Sequence, residues 1–441
     1  MKSQGLSRNL ARFINGLSFN ELPKEVIERA KDRLLDALAI AAAGRNFPYY
    51  PIGFELVKNS KGKATVLFHN LKFQALDTAF LNAILIDTVG ATDTLMHAHP
   101  GGPIIATALA LAEEENRSGA EVITAIVAAY DIMARVGLAK ETITPRFRGL
   151  SIYGPFGAAV AAGKMLGLNE DQMTYALGYA ANSSCGLTEC WLAGTMEAKF
   201  HAGLSSRNGI TAALLARAGA NAAETALEGK AGFYQAFAGS NEGVDAALVD
   251  LGKRFMILEA KYKPYPVCAE NQISVDLSLK LKKQHGMNPK EIDSIMEIGP
   301  LYAISYPGVD YPGPFRSRVQ AIMSAQFCNA AAFLGKAVSS PAFYDNNYGD
   351  LEIGELAKKV RLSGEKNRKT TLVEVTLRGG KKVRMEGNED ELIPSFEKVR
   401  VKFQSLASDL LSRDKMDRIS DIVFKLEKVK NIQELMHELK G

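Results

Sequence analysis

Cysteine is scarce in this chain of 441 residues: Cys185, Cys190, Cys268 and Cys328, none in Cys-x-x-Cys spacing. That argues against a disulfide framework, a zinc ribbon or a thioredoxin-like motif. Long hydrophobic runs are missing too. The longest, Ile104 to Ala112 with one threonine, is about half of the ~20 residues a membrane helix needs. The N-terminus lacks a basic stretch followed by an apolar one, so it does not read as a secretory signal. Neither sign of charge dominates, with 53 basic against 49 acidic residues and no dense basic block. Nucleic-acid or membrane binding through bulk charge is therefore not expected. There is no Gly-x-Gly-x-x-Gly after a strand, no P-loop, no Gly-x-Ser-x-Gly and no His-Glu-x-x-His. His97-x-His99 is a possible metal pair without a convincing third ligand. The expectation is a cytoplasmic protein with reduced thiols, no metal and no organic cofactor.

Histidine is also sparse, which makes its placement informative. Three of the six histidines fall in two short segments, Asp93-Thr-Leu-Met-His97-Ala-His99-Pro-Gly-Gly-Pro103 and Gly194-Thr-Met-Glu-Ala-Lys199-Phe-His201-Ala-Gly203. Both lie between apolar helical runs. Histidine titrates near neutrality and a desolvated lysine can give up its proton, so the pattern suits a pocket for an anionic substrate.

The length predicts two domains. The first 240 residues read as helices. Leu22-Pro23 opens a periodic segment through Val26, Ala30, Leu34, Leu35 and Leu38 that stops at Gly44. Ser118-Gly-Ala-Glu121 and Asn169-Glu-Asp-Gln172 read as capping boxes for Val122–Gly137 and Met173–Ser183. Ile104–Ala112, Ala158–Leu166 and Ala212–Ala220 are alanine-rich and apolar on most faces, which predicts buried helices in a multilayer bundle. After about residue 260 the pattern changes. Glu291–Pro300, Val360–Leu362, Thr371–Leu377 and Lys382–Glu386 read as strands, the last two joined as a hairpin by Gly379-Gly380. Ser317–Lys336 reads as one apolar helix, and helical periodicity returns from Phe403 to Leu439. The fold class expected is mainly α. An all-helical domain over 1–263 and 403–441 carries an inserted α+β domain over 264–402.

Several residues are candidates for a carboxylate site. His99 sits in a Pro/Gly turn before the Ile104 helix, whose first amides can bind a carboxylate; Asp93 and Thr94 can bind the same loop or fix a histidine tautomer. Lys199 reads as a carboxylate clamp or, desolvated, as a base. Its spacing of two from His201 places them on different helix faces, and His97 and His201 read as structural. Arg146 and Arg148 precede the turn Tyr153-Gly-Pro-Phe-Gly157 and suit bidentate carboxylate recognition, though either can equally be a solvated charge. Lys263 lies at the expected domain junction and Arg318 opens the helix of the small domain.

As a set, these motifs identify the chain as similar to the MmgE/PrpD family. The resemblance rests on Asp93-Thr94 with His99-Pro-Gly, Ala108-Leu-Ala-Leu-Ala-Glu113, Gly154-Pro-Phe-Gly-Ala-Ala, Lys164-Met-Leu-Gly-Leu168, Gly194-Thr with Lys199-x-His201-x-Gly203, Glu228-Gly with Gly232-Phe233, and Tyr265-Pro-x-Cys268. It covers nearly the whole chain. It implies a large helical domain, a smaller α+β lid, a homodimer, an active site in the cleft between domains and no cofactor. Thr94, His99 and Lys199 match the family pattern. Gly90 stands where the family usually has an acidic residue, Arg148 and Gln272 where it has histidines, and Phe327 where it has a tyrosine. Family reactions create negative charge next to a carboxylate. The reading is thus a cofactor-independent dehydratase of a small di- or tricarboxylate, with Lys199, His99 and Tyr153 catalytic. Thr94, Asp93, Arg148, Arg146, Lys263, Gln272 and Arg318 are the substrate-binding candidates. An epimerase, with lysine and tyrosine candidates such as Tyr153 and Tyr302, and a non-catalytic anion binder are the alternatives.

Overall fold

A computed structural model describes residues 5–140, 143–144, 146–392 and 395–441. It is mainly helical, with strands confined to a short hairpin and one small sheet. The chain divides into two units. The first comprises Met1–Leu187, Lys199–Ala260 and Pro394–Gly441; the second comprises Thr188–Ala198 and Lys261–Ile393. The excursion of Thr188–Ala198 into the second unit has no counterpart in the sequence reading. It is held there by tertiary packing: Gly194 abuts Ser317 and Gln320, and Gly308 abuts Trp191.

In the helical unit, local signals and elements agree at both capping boxes. Ser118 Oγ accepts from Glu121 N at the start of Gly119–Leu138, and Asn169 Oδ1 accepts from Gln172 N at the start of Glu170–Asn182. The helix Gly101–Glu114 buries all but its last residue, as an element apolar on every face must. Its one buried carboxylate is satisfied: Glu113 accepts from Thr65 N, Thr65 Oγ1 and Lys72 Nζ at 2.6–2.9 Å, tying down the hairpin β1 (Ala64–Thr65) and β2 (Lys72–Phe73).

The segment 153–157 is helix, not turn. It lies inside Gly149–Leu166, with Pro155 internal. Its glycines serve close packing: a Cβ on Gly154 would meet Ser205, and one on Gly157 would meet Ile104 and Met133. The partner helix His201–Arg217 returns the contact through Gly209, where a Cβ would lie 2.6 Å from Ala159 N and closer still to Ala158 Cβ. Of Ala212–Ala220, read as a helix, residues 212–217 are the last part of that helix, and Ala218–Ala220 lie past its end. After Ser395, the helix Phe396–Ala407 packs on Lys24–Gly44, where Lys402 Nζ donates to Asp36 Oδ1 at 2.7 Å and to Ala91 O at 2.9 Å.

In the other unit, β3 (Ile292–Pro300), β4 (Val360–Glu365), β5 (Thr371–Leu377) and β6 (Lys382–Gly387) form a sheet of order β4-β3-β5-β6. β3 pairs parallel with β4 and antiparallel with β5, and β5–β6 is the expected hairpin, with Gly379 and Gly380 at φ 90° and 84°. Ser317–Lys336 is not one helix. Ser324 takes an extended conformation, its hydroxyl caps Phe327 N and donates to Tyr311 O, and the segment splits into Arg318–Met323 and Ala325–Leu334. A serine side chain that offers the backbone an alternative partner breaks the periodicity that apolar spacing suggested.

Candidate active site

After the helix Ala75–Thr88, residues 89–100 form a tight loop. Leu95 and Ala98 exchange both backbone hydrogen bonds around Met96 and His97, which have φ of 48° and 58°. Two non-glycine residues in this region cost about 1–3 kcal/mol each, so the surroundings must impose the turn. One imposing contact is the His97 carbonyl packed on Gly149, where any Cβ would collide with it. His97 itself is exposed, and Thr94 is half-buried beside the turn.

Asp93 holds the loop from within. Its Oδ1 accepts from Gly101 N at 3.1 Å and its Oδ2 from Tyr130 Oη at 2.8 Å, with Arg33 Nη1 at 3.9 Å. The helix start that was expected to receive a substrate carboxylate is thus capped by the chain's own Asp93. Burial, with the charge of Asp36, pushes the Asp93 carboxyl up against the pull of Arg33 and its hydrogen bonds. The Asp93 carbonyl lies 2.9 Å from His99 Nδ1. A carbonyl can only accept, so Nδ1 carries the proton and, in the neutral ring, Nε2 carries the lone pair.

Around this loop the fold gathers a charged cluster from four distant segments. Asp87, in the last turn of Ala75–Thr88, is only 3% exposed. Its Oδ1 and Oδ2 accept from Arg148 Nη2 at 3.3 and 3.0 Å. Arg148 caps the start of Gly149–Leu166 and is 4% exposed; Lys199, just before His201–Arg217, is 2% exposed. Burial by itself would push the Asp87 carboxyl up. The charges of Arg148, Lys199 and His99 and the Arg148 hydrogen bond outweigh it and hold the group below the usual carboxylate range. Three basic groups thus act on one buried carboxylate, and basic groups gathered in this way suit an anionic ligand.

The structure thus brings together His99, Arg148 and Lys199 of the expected set. The phenol of Tyr153 is buried against the carbonyl of Lys140 at 3.4 Å, beside Gly137. Arg146 is exposed, with Nη2 3.3 Å from Phe237 O. His201 is buried next to Gly186.

Within the sheet unit, Gln272 spends its amide on its own loop. It accepts from Tyr265 N and donates to the carbonyls of Tyr265, Val267 and Cys268 at 2.9–3.2 Å. That is loop support in place of the substrate contact expected. Lys263 is buried beside Cys268 and Glu270. Burial and the charge of Glu389 push the Glu270 carboxyl up to about 8, although Lys263 and Lys261 pull the other way. Burial likewise pushes the Cys268 thiol up to about 12, which makes it a poor nucleophile at neutral pH. Arg318 Nε faces Asp345 Oδ1 at 3.2 Å, Tyr302 is half exposed, and Phe327 is fully buried among Phe315, Phe343 and Tyr344.

Asp87 is the residue that sequence reasoning missed. The available signal is one acidic residue inside the apolar run Phe80–Val89; a lone carboxylate on a buried helix needs partners to exist there. Among the described residues no three His, Cys, Asp or Glu side chains are grouped to hold a metal ion, and no helix is long and apolar enough to cross a membrane.

Two family models cover this chain: the MmgE/PrpD N-terminal domain matches residues 8–243 and the MmgE/PrpD C-terminal domain matches residues 265–428. The chain belongs to the MmgE/PrpD family. This member is 26% identical to the human cis-aconitate decarboxylase over 100% of this chain and 96% of the relative. It is 25% identical to the mouse enzyme, over 100% of this chain and 94% of that protein. To the cis-aconitate decarboxylase of Aspergillus terreus (strain NIH 2624 / FGSC A1156) it is 24% identical, over 99% of this chain and 96% of the other.

Proposed function

We propose that this MmgE/PrpD protein is a cofactor-independent lyase that acts on a small di- or tricarboxylate by removing a proton next to a carboxylate. The observation that carries the reading is the buried cluster of His99, Arg148 and Lys199 around Asp87. Its gathered basic groups suit a carboxylate ligand and the enolate-like species formed when the adjacent C–H bond loses its proton. His99 Nε2, whose lone pair follows from the Nδ1–H bond to the Asp93 carbonyl, is the base. The electron pair left on carbon spreads into the neighbouring carboxylate, where Lys199 and Arg148 stabilise it. The pair then closes a carbon–carbon double bond as a β-hydroxyl departs, taking a proton from the Lys199 ammonium and leaving as water.

Decarboxylation is the second reading, supported by similarity along the whole chain to proteins named cis-aconitate decarboxylase. There the pair comes from the bond to a departing carboxylate, which leaves as carbon dioxide, and the carbanion is protonated. Arg148, where the family usually has a histidine, weighs against a histidine-based proton relay, because a guanidinium does not release its proton near neutrality. Proton NMR in deuterium oxide across citrate-like, succinate-like and amino-dicarboxylate compounds separates the cases. New vinyl resonances without carbon dioxide release in a parallel gas-trapping assay indicate the dehydratase; vinyl resonances with carbon dioxide release indicate the decarboxylase. Loss of an α-proton signal with no vinyl product indicates an epimerase, and an inert panel sinks the lyase reading.

A further inference from the structure

We infer that Asp87 is a positioning residue of this site: its carboxylate anchors the Arg148 guanidinium and sets the electrostatic environment of Lys199 and His99. Local preference does not account for an aspartate here. The last turn of a helix is the negative end of its dipole, where a carboxylate is disfavoured, and burial disfavours it again. What retains the charge is tertiary. Arg148 reaches it from the cap of Gly149–Leu166, Lys199 from the approach to His201–Arg217, and His99 from the loop before Gly101–Glu114. On the remaining side, Gly102 brings the backbone of Gly101–Glu114 close: a Cβ on it would lie 3.8 Å from Asp87 Cβ. Among the described residues, the charges that act most strongly on Asp87 are these three bases. The neighbouring carboxylates Asp36 and Asp93 engage Lys402, Tyr130 and Gly101 instead.

Asp87 is not itself the base. Both of its oxygens are engaged by Arg148, and the cations keep it a weak proton acceptor. It acts through its neighbours. A guanidinium fixed by a buried carboxylate presents a constant geometry to a ligand, and one negative charge beside Lys199 and His99 favours their protonated forms.

The anchoring of Arg148 stands on its two contacts with Asp87; the effect on turnover rests on the lyase reading. The experiment compares wild type, Asp87→Asn, Asp87→Glu and Arg148→Gln. The His99 imidazole is titrated by proton–carbon NMR in the intact protein, assigned with His99→Gln. Removing the negative charge makes the imidazolium less favourable, so Asp87→Asn should lower the His99 pKa by about one pH unit. Arg148→Gln removes the opposing cation and should raise it. In turnover, Asp87→Asn should move the acid limb of kcat/KM to lower pH and cut kcat roughly ten- to a hundredfold, with Asp87→Glu recovering part of it. A purely structural role would change thermal stability and leave the His99 titration where it was. A His99 pKa unchanged in Asp87→Asn overturns the inference. If Asp87→Asn does not fold, Asp87→Ser, which also removes the charge, takes its place in the titration. Wild type inert across the whole panel refutes the lyase reading, and the titration still tests the coupling.

Discussion

Glutamine at position 297 should make the sheet unit more stable at neutral and alkaline pH. Glu297 lies on β3 at 1% exposure, its Oε2 accepting from Asn329 Nδ2 at 2.7 Å, and Asn329 Oδ1 in turn accepts from Ser278 Oγ at 2.6 Å. Burial pushes the carboxyl up from 4.5 to about 7, and the hydrogen bonds from Asn329 and Ser274 offset only part of this. Between those values the folded state binds a proton that the unfolded chain has released. Stability conferred by the neutral carboxyl is therefore complete below pH 4.5 and lost as pH rises to about 7. At about 1.4 kcal/mol per pH unit, the whole window is worth roughly 3 kcal/mol. Glu297→Gln keeps the shape and the acceptor for Asn329 and removes the charge. Relative to wild type it should be near neutral at pH 4.5 and stabilising by up to about 3 kcal/mol at pH 8. The assay is urea denaturation followed by tryptophan fluorescence. Trp191, the chain's single tryptophan, is buried within the sheet unit, so its transition reports on that unit. Parallel pH profiles for variant and wild type from pH 4.5 to 8 would refute the reasoning.

Gly209→Ala should be destabilising by about 2–3 kcal/mol in urea denaturation, because its Cβ meets Ala158 and Ala159 N. On an open helix face the same change would stabilise by about 1 kcal/mol, so a gain would show that the two helices can separate freely. Tyr130→Phe removes the hydroxyl donated to Asp93 and should cost about 1.5–3 kcal/mol in the same assay; a neutral effect would mean that Asp93 finds another donor. Lys199→Ala should abolish turnover while circular dichroism shows the fold retained, and near-wild-type activity would remove Lys199 from the reacting groups. Arg148→His, which restores the histidine the family usually has there, should change the ratio of products in the deuterium oxide panel. An unchanged ratio would show that this position does not choose the reaction.

Signals that act over a few residues were legible in the chain. The capping boxes at Ser118 and Asn169, the buried helix after Pro103, the alternation in β5 and β6 and the Gly379-Gly380 turn are set by neighbours in sequence, and the sequence displays both partners. The matches of Thr94, His99 and Lys199 to a family pattern were legible for the same reason, as short motifs. The glycines of 153–157 misled, because glycine marks both a turn and a close approach, and which one it is depends on a helix fifty residues away. Ser324 misled because apolar spacing continues across it while its hydroxyl ends one helix and begins the next.

Composition and periodicity by themselves determined that this protein has a large helical part followed by a small α+β part and a helical tail. Only the tertiary structure decided where each charge ends. It gave Asp93 to Gly101 and Tyr130, Gln272 to its own loop, and Asp87 to Arg148 sixty-one residues on. The physical reason is desolvation. A buried charge persists only with an opposite charge or hydrogen-bond partners, and the partners of these groups arrive from segments that the chain brings together only when it folds.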